Sequence, residues 1–352
     1  MKYDLIIAEL KKDIIRGRYE PLSRLPTRNE LARRFSTTLA TMQNAMDILA
    51  KEGFIDSRGR DGTFVVDNPP HLSKYGMCIP ELPSNMYLWH RLWTVINGEA
   101  LKIRRDPSKR IENYYGITAN SEIGDFKKLI EDIEEHRLAG LIIFWPSVEL
   151  LGKLKKYDIP IVSFSRPIIS FPRMSVIWVD YISMIDKMIS YLKKRERRRI
   201  AIITNSETPR EYMEHFKKKV QENGMTTHPS WIHGVCLCKD ALPWCSSVFE
   251  LLMSGSREAR PDALVILNEN ITPFISSAIS KSSLMIPDDI EIVSHCNFPF
   301  NSTNDHIHRI GFDINLILNR CICEIDSLHK KNSKPCSEEL PAIDQDEISA
   351  RT

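Results

Sequence analysis

Residues 25–55 read LPTRNELARRFSTTLATMQNAMDILAKEGFI. Thr27 stands three residues before Glu30, the spacing at which a threonine hydroxyl and a glutamate carboxylate satisfy orphan amides at a helix start. Leu31, Ala32 and Phe35 give the helix that follows one buried side. Ser36-Thr37-Thr38 makes a turn, with Thr37 or Thr38 as the N-cap of the next helix. Met42, Ala45, Met46 and Leu49 recur at helical spacing as its apolar face, and Gly53 ends it. Its other face is polar and holds no arginine.

Working outward, Ile6, Ile7, Leu10, Ile14 and Ile15 predict an amphipathic helix over 3–16, ended by Gly17. The stretch 18–26, with two prolines, is a loop. Beyond the quoted segment, Phe54-Ile55 and residues 63–66 alternate as two strands around SRGRDG, a tight basic tip. Three helices and a hairpin make a winged helix-turn-helix, whose third helix is the one shaped for a DNA major groove. Arg58 and Arg60 on the tip can reach phosphates or the minor groove. Residues 1–66 carry twelve Lys and Arg against nine Asp and Glu, with the positives gathered on the second helix and the wing.

These residues carry a family resemblance. The Leu25-Pro26 step, Glu30-Leu31-Ala32, Thr41, Ala45, the Glu52-Gly53 helix end and Gly62-Thr63-Phe64-Val65 resemble the DNA-binding domain of GntR-type transcription regulators almost end to end. The resemblance implies DNA contacts from Arg28, Asn29, Thr38, Leu39, Thr41, Gln43, Asn44, Arg58, Arg60 and Gly62. The chain departs from the pattern where the family commonly has arginine, at Asn29, Leu39 and Gln43. Leu39 can meet a thymine methyl or a sugar, and Gln43 pairs best with adenine, which implies an altered operator preference. Arg28, Arg33, Arg34, Arg58 and Arg60 remain to hold phosphates.

At 352 residues the chain suits two or three domains, and 42% hydrophobic with 27% charged residues is ordinary for a soluble globular protein. A net charge of +2 argues neither for nor against a polyanionic partner. Apolar runs such as LIIFW and ALVIL are too short to span a bilayer, and MKYDLIIAELKKDII is too charged for a signal peptide. Eight cysteines without a signal peptide are expected to stay reduced in a cytoplasmic protein.

The periodicity changes after a linker at 69–74. Nine strand-like runs follow, at 76–80, 111–115, 140–144, 159–164, 176–180, 199–204, 263–267, 290–295 and 309–312. Helical segments separate most of them, which argues parallel sheets covered on both faces, and two α/β subdomains rather than one. Expected boundaries are 1–68 for the winged helix and 75–352 for the body. Subdomain one spans about 75–180 and 295–326, and subdomain two about 181–294 and 327–352.

The order of pieces resembles the effector domain of LacI-type repressors and periplasmic sugar-binding proteins. The clearest stretch is RPDALVILNENITPFISSAISKSSLMIPDDIEIVSH (260–295). A GntR-type head on a LacI-type body looks like the arabinose-repressor subgroup. That implies a homodimer binding operator DNA, tuned by a small molecule, usually a sugar, in the cleft between subdomains. Asn268-Glu269 falls at the family's ligand-binding Asn-Asp pair; Arg166, Tyr212 and Arg210 stand at or beside other ligand positions. Trp145 and Phe298 can wall a sugar ring. Acids the family uses are replaced at Ser165 and Cys296.

No cofactor, metal or catalytic constellation is expected. Cys236, Cys238 and Cys245, with Cys321 and Cys323, lack the spacing of zinc pairs, and KKRERRR (193–199) reads as a solvated helix end. The reading is a non-enzymatic, ligand-responsive regulator, with no membrane partner. Its rival is a ligand-blind dimerisation body or protein-binding module carrying a degenerate winged helix.

Overall fold

The computed structural model describes residues 2–84, 90–106, 108–118, 120, 122–165, 172–238, 241–300, 306–330 and 333–349. The head comprises α1 (Lys2–Ile15), α2 (Arg28–Arg34), α3 (Leu39–Lys51), β1 (Ile55–Ser57) and β2 (Thr63–Val65). The capping pair forms: Thr27 N donates to Glu30 Oε2 at 2.7 Å, and Glu30 N donates to the Thr27 hydroxyl at 3.4 Å. Of the two candidate caps for α3 it is Thr38 that serves, its hydroxyl accepting from Thr41 N at 3.2 Å. β1 and β2 pair antiparallel, Ile55 opposite Val65. Gly62 closes the wing at φ +102°, and a Cβ there would lie 2.7 Å from Arg24 Nε.

One core holds the head together. Leu10 of α1, Leu31 of α2, Met42, Ala45 and Leu49 of α3, Phe54, and Val65 of the wing are all fully buried. Truncating one of these leucines to alanine removes roughly 2–5 kcal/mol in a packed core.

The segment 69–74, expected as a linker, is a docked helical turn, α4 (Pro70–Ser73). His71 is buried, and its ring stacks on Phe54 with centroids 5.9 Å apart and planes 8° apart. Burial, helped by the nearby charges of His329 and His136, drives its pKa down to about 4.

The body follows in order: β3 (Lys74–Ile79), α5 (Arg91–Ile103), β4 (Arg110–Tyr115), α6 (Phe126–Glu134), β5 (Gly140–Phe144), α7 (Val148–Leu154). Then come β6 (Ile161–Phe164), β7 (Met174–Asp180), α8 (Tyr181–Lys194), β8 (Ile200–Asn205), α9 (Arg210–Glu222), β9 (Ile232–Val235). The remainder is α10 (Trp244–Met253), β10 (Ala263–Ile266), α11 (Thr272–Ser280), β11 (Glu291–Phe298), β12 (His308–Asp313), α12 (Ile314–Leu328), β13 (Ser337–Pro341), β14 (Ile343–Asp344) and α13 (Gln345–Ser349). All nine expected strands form; β9, β13 and β14 are added to them.

The strands make two six-stranded sheets, ordered β13-β7-β6-β5-β3-β4 and β14-β12-β11-β10-β8-β9. Pairing is parallel through both centres, as in β3 with β5 and β10 with β11, while β14 runs antiparallel to β12. β5 and β10 are buried at every residue, the signature of strands covered on both faces.

The chain divides into two compact units: 1–82, 100–176 and 320–337; and 83–99, 177–319 and 338–352. Three expected segments are therefore reassigned. Residues 83–99, expected in subdomain one, belong with the second unit. β12 was placed in subdomain one but pairs along its length with β11 of the second sheet, and residues 327–337 belong with the first unit. Strand periodicity reports burial and is silent on which sheet a strand joins.

The basic run 193–199 is only partly solvated. Arg195 and Arg197 converge on Glu291, 2% exposed, at 3.3 and 3.2 Å, with the Tyr191 hydroxyl donating to it at 2.6 Å. Arg199 Nε donates to the Arg260 carbonyl at 2.7 Å.

His71 makes stability depend on acid. Unfolded, it takes up its proton near the ordinary 6.5; folded, it stays neutral until about 4, so stability falls as pH drops through that window. In urea titrations, wild type should lose about 1.4 kcal/mol per pH unit relative to His71→Phe between these pH values. Curves that stay parallel would contradict this burial.

Candidate functional site

The head offers a polar ridge because α3 buries one side. Met42, Ala45, Met46 and Leu49 face inward, leaving Leu39, Ala40, Asn44 and Asp47 exposed, with Thr41 and Gln43 half-buried at the margin. The Thr38 and Thr41 hydroxyls lie 2.9 Å apart, both engaged in the cap. Gln43 is tied at both ends of its amide: Arg28 Nη1 donates to its Oε1, and its Nε2 donates to Asp47 Oδ1 at 2.6 Å. Asn29 is exposed beside Arg28.

Arg58 and Arg60 flank the exposed wing tip, which the Arg58 N to Gly62 O bond closes at 2.8 Å. The Arg58 guanidinium lies 4.6 Å over the Phe64 ring and bonds Asp56 at 3.2 Å. Arg34, expected among the phosphate contacts, is instead turned inward to Asp13 at 2.7 Å and Tyr19 at 3.2 Å, joining α2 to α1.

The head is fixed to the first unit by a charge network. Lys11 of α1 is 2% exposed and meets Glu52 at 2.8 Å and Glu135 at 2.5 Å, with its ammonium 5.4 Å from the Phe54 ring. Arg137 reaches Glu52 at 3.1 Å, Glu131 at 2.8 Å and Asp132 at 2.6 Å. Each buried charge thus has an opposite charge within contact, which a desolvated ion requires. Sequence reading missed the network because its members lie up to 126 positions apart (Lys11 to Arg137).

In the second unit the expected ligand pair follows β10. Asn268 Oδ1 accepts from Asn270 N at 3.0 Å and Nδ2 at 2.9 Å. Glu269 is buried; Oε1 accepts from Asn297 Nδ2 at 2.5 Å, and Oε2 accepts from Asn297 N and Arg91 Nε, each at 3.0 Å. Tyr212 stacks on Tyr181 at 5.5 Å and 26°. Tyr181 also borders His295 at 6.2 Å and Phe312 at 5.5 Å. His295 is 5% exposed, and among the described residues neither of its ring nitrogens has a hydrogen-bond partner. Burial holds its pKa below the ordinary value, so it stands as a neutral imidazole with one donor and one acceptor open.

The other expected positions scatter. Arg210 opens α9 but is 89% exposed and leans toward Glu214 at 3.7 Å. Phe298, expected as a ring wall, packs with Cys296 and Ile343 in a small core. Trp145, in the first unit, is 43% exposed at φ 46°, its ring edge-on to Phe144 at 6.3 Å. Arg166 lies outside the described residues. Arg91, Asn297 and Tyr181 were overlooked: they touch this region through the fold, and no spacing in the sequence announces it.

His308, Asp344 and Asp346 form the grouping with metal-like proximity among the described residues. Their atoms dock the C-terminal tail: His308 Nε2 meets Asp344 Oδ2 at 2.9 Å, and Asp346 N donates to Asp344 Oδ1 at 2.9 Å. Among the described residues no disulfide forms, and Cys245 and Cys321 are packed in the interior. Among the described residues no helix is long and apolar enough to cross a membrane.

Comparison with known proteins gives the head and a part of the body separate matches. The model of bacterial regulatory proteins of the GntR family matches residues 2–65, and that of a periplasmic binding protein-like domain matches residues 189–307. The arabinose metabolism transcriptional repressor of Geobacillus stearothermophilus is 22% identical over 320 residues, covering 86% of this chain and 84% of that protein. Among solved structures, a LacI-family regulatory protein of Chloroflexus aggregans superposes with a TM-score of 0.59 at 15% identity, covering 77% of this chain and 96% of its own. A putative ribose operon repressor from Burkholderia thailandensis gives 0.55 at 17% identity, with coverage of 77% and 98%. A LacI-family regulator of Lactobacillus casei, solved with bound sucrose, gives 0.55 at 12%, with coverage of 78% and 98%.

Breaking the head's charge network should be costly. Lys11→Ala empties the buried space of the lysine chain and leaves Glu52 with Arg137 alone, and loss of about 3 kcal/mol is expected in urea denaturation of the full chain, against less for Lys11→Met, which refills the volume. Equal, small losses in both variants would contradict the network's role.

Proposed function

We propose that this chain, with a GntR-family head on a body of periplasmic-binding-protein-like fold, is a transcription repressor acting in the cytoplasm as a homodimer. It binds operator DNA through α3 and the wing, and a small polar molecule, a sugar or sugar derivative, sets its affinity. The observation that carries the DNA reading is the exposed start of α3, with Arg28 beside it, Arg58 and Arg60 exposed on the wing, and the helix's apolar side spent on the core. That is the form a groove-reading helix takes when its first residues meet base edges. The repressor of arabinose metabolism that the chain resembles along most of its length supports the sign of regulation.

For the effector, support comes from the carboxyl ends of the second sheet, where open α/β folds take their ligands. The stacked pair Tyr181 and Tyr212 offers a flat wall, and His295 offers an unfilled donor and acceptor. Ligand changes DNA affinity only through its preference for one arrangement of the protein, typically about 1–3 kcal/mol of coupling.

A second reading, a body blind to ligand, draws on one observation. Glu269, at the position implied to accept sugar hydroxyls, already accepts from Asn297 and Arg91 of its own chain.

Two measurements test these readings. Fluorescence anisotropy with duplex DNA from upstream of the protein's own gene should show a specific complex. For about six phosphate contacts its affinity falls on the order of a thousandfold between about 50 and about 200 mM salt. Arg58→Ala should weaken every sequence alike, and absence of a specific complex with any DNA would overturn the repressor reading. In a thermal-shift screen of sugars and sugar acids, a true effector at about a hundred times its Kd stabilises by about 2.7 kcal/mol. A uniformly flat screen favours the ligand-blind body.

A further inference from the structure

The reading face of α3 has lost its expected reader. Gln43 was expected to pair with adenine, which takes one donor and one acceptor of its amide. Both sides of that amide are instead engaged within the head, Oε1 by Arg28 and Nε2 by Asp47 one turn further on. The amide cannot simply turn over, because its NH₂ would then face a guanidinium and its oxygen a carboxylate. Gln43 is thereby a strut between two charges.

What the strut holds is Arg28. A guanidinium has five N–H donors, and the bond to Gln43 uses one. Arg28 is exposed at the start of α2, and pinning it in advance lowers the conformational entropy lost when it binds. Next to it stands an apolar pair: Leu39, 55% exposed, and Ala40, also exposed, as the first two residues of α3. Leu39 walls two open hollows, one shared with Thr27, Arg28 and Asn29, the other with Ala32, Arg33 and Ser36. The neighbouring hydroxyls of Thr38 and Thr41 are occupied with each other and with the cap.

We infer that base choice in this protein is made by Arg28 and by the Leu39–Ala40 pair, with Gln43 acting only as a positioning residue. Arg28 fits the O6 and N7 edge of guanine. The apolar pair fits the C5 methyl of a nearby thymine, the one hydrocarbon group the major groove displays. The half-site then contains a guanine and a thymine read from the junction of α2 and α3, and no adenine read by Gln43. This assignment rests on the DNA-binding reading above.

The test uses the full chain and its best duplex from selection on random DNA, with single bases modified. Replacing the contacted thymine by uracil removes only the methyl, and replacing the contacted guanine by 7-deazaguanine removes only N7. Wild type should weaken at least about fivefold at one thymine and at one guanine per half-site. Leu39→Ala should become indifferent to the uracil, and Arg28→Ala to the deazaguanine. Gln43→Ala should blunt guanine discrimination without relaxing any adenine. Specific binding indifferent to every uracil, or Gln43→Ala relaxing an adenine with guanine discrimination intact, overturns the assignment alone. Failure to select any preferred duplex overturns the DNA-binding reading together with it. The substituted side chains lie at or near the surface, and an unchanged thermal melt of each variant excludes loss of folding as the cause.

Discussion

Everything the head can do follows from how α3 spends its surface. Thirteen residues supply Met42, Ala45, Met46 and Leu49 to a core shared with α1, α2 and the wing. Each residue turns the helix by about 100°, so the buried set fixes which side chains point outward. A polar substitution within it would strand an unpaired group in the core, and a shift of register would carry Leu39 and Asn44 off the surface. The functional surface is thus a by-product of the apolar one, and the two cannot vary independently.

Three buried charges are handled alike. Lys11, Glu269 and Glu291 are all nearly or fully buried, and each meets an opposite charge from elsewhere in the chain. Water has been replaced by fixed partners at each, as a low-dielectric interior demands. His295 is held differently: buried, neutral and, among the described residues, without a bond to either nitrogen. As a neutral imidazole it can donate one hydrogen bond and accept one.

Local chemistry was readable in the sequence and distant chemistry was not. The Thr27–Glu30 cap, the apolar side of α3 and the wing glycine are set by neighbours within a few residues, so spacing alone exposes them. The nine body strands were equally legible, because burial on both faces writes itself as continuous apolar runs. Assignment of β12 to a sheet was not, since that depends on crossover connections. The candidate sites divide the same way. Position in the pattern located Glu269 but could not reveal that Asn297 and Arg91 fill its oxygens, nor that Arg34 and Phe298 serve packing. Composition in the segment 69–74 suggested a loose tether; the stacking of His71 on Phe54 makes it part of the head.

The central claim is that the beginning of α3, and not its end, enters the DNA. A photo-crosslinking residue placed at Ala40 and, separately, at Ala50, both exposed, compares the two ends of the same helix directly. With duplex from upstream of the gene, the account predicts an efficient protein–DNA adduct from position 40 and little from position 50. Adducts from position 50 alone, or equally from both, would contradict it.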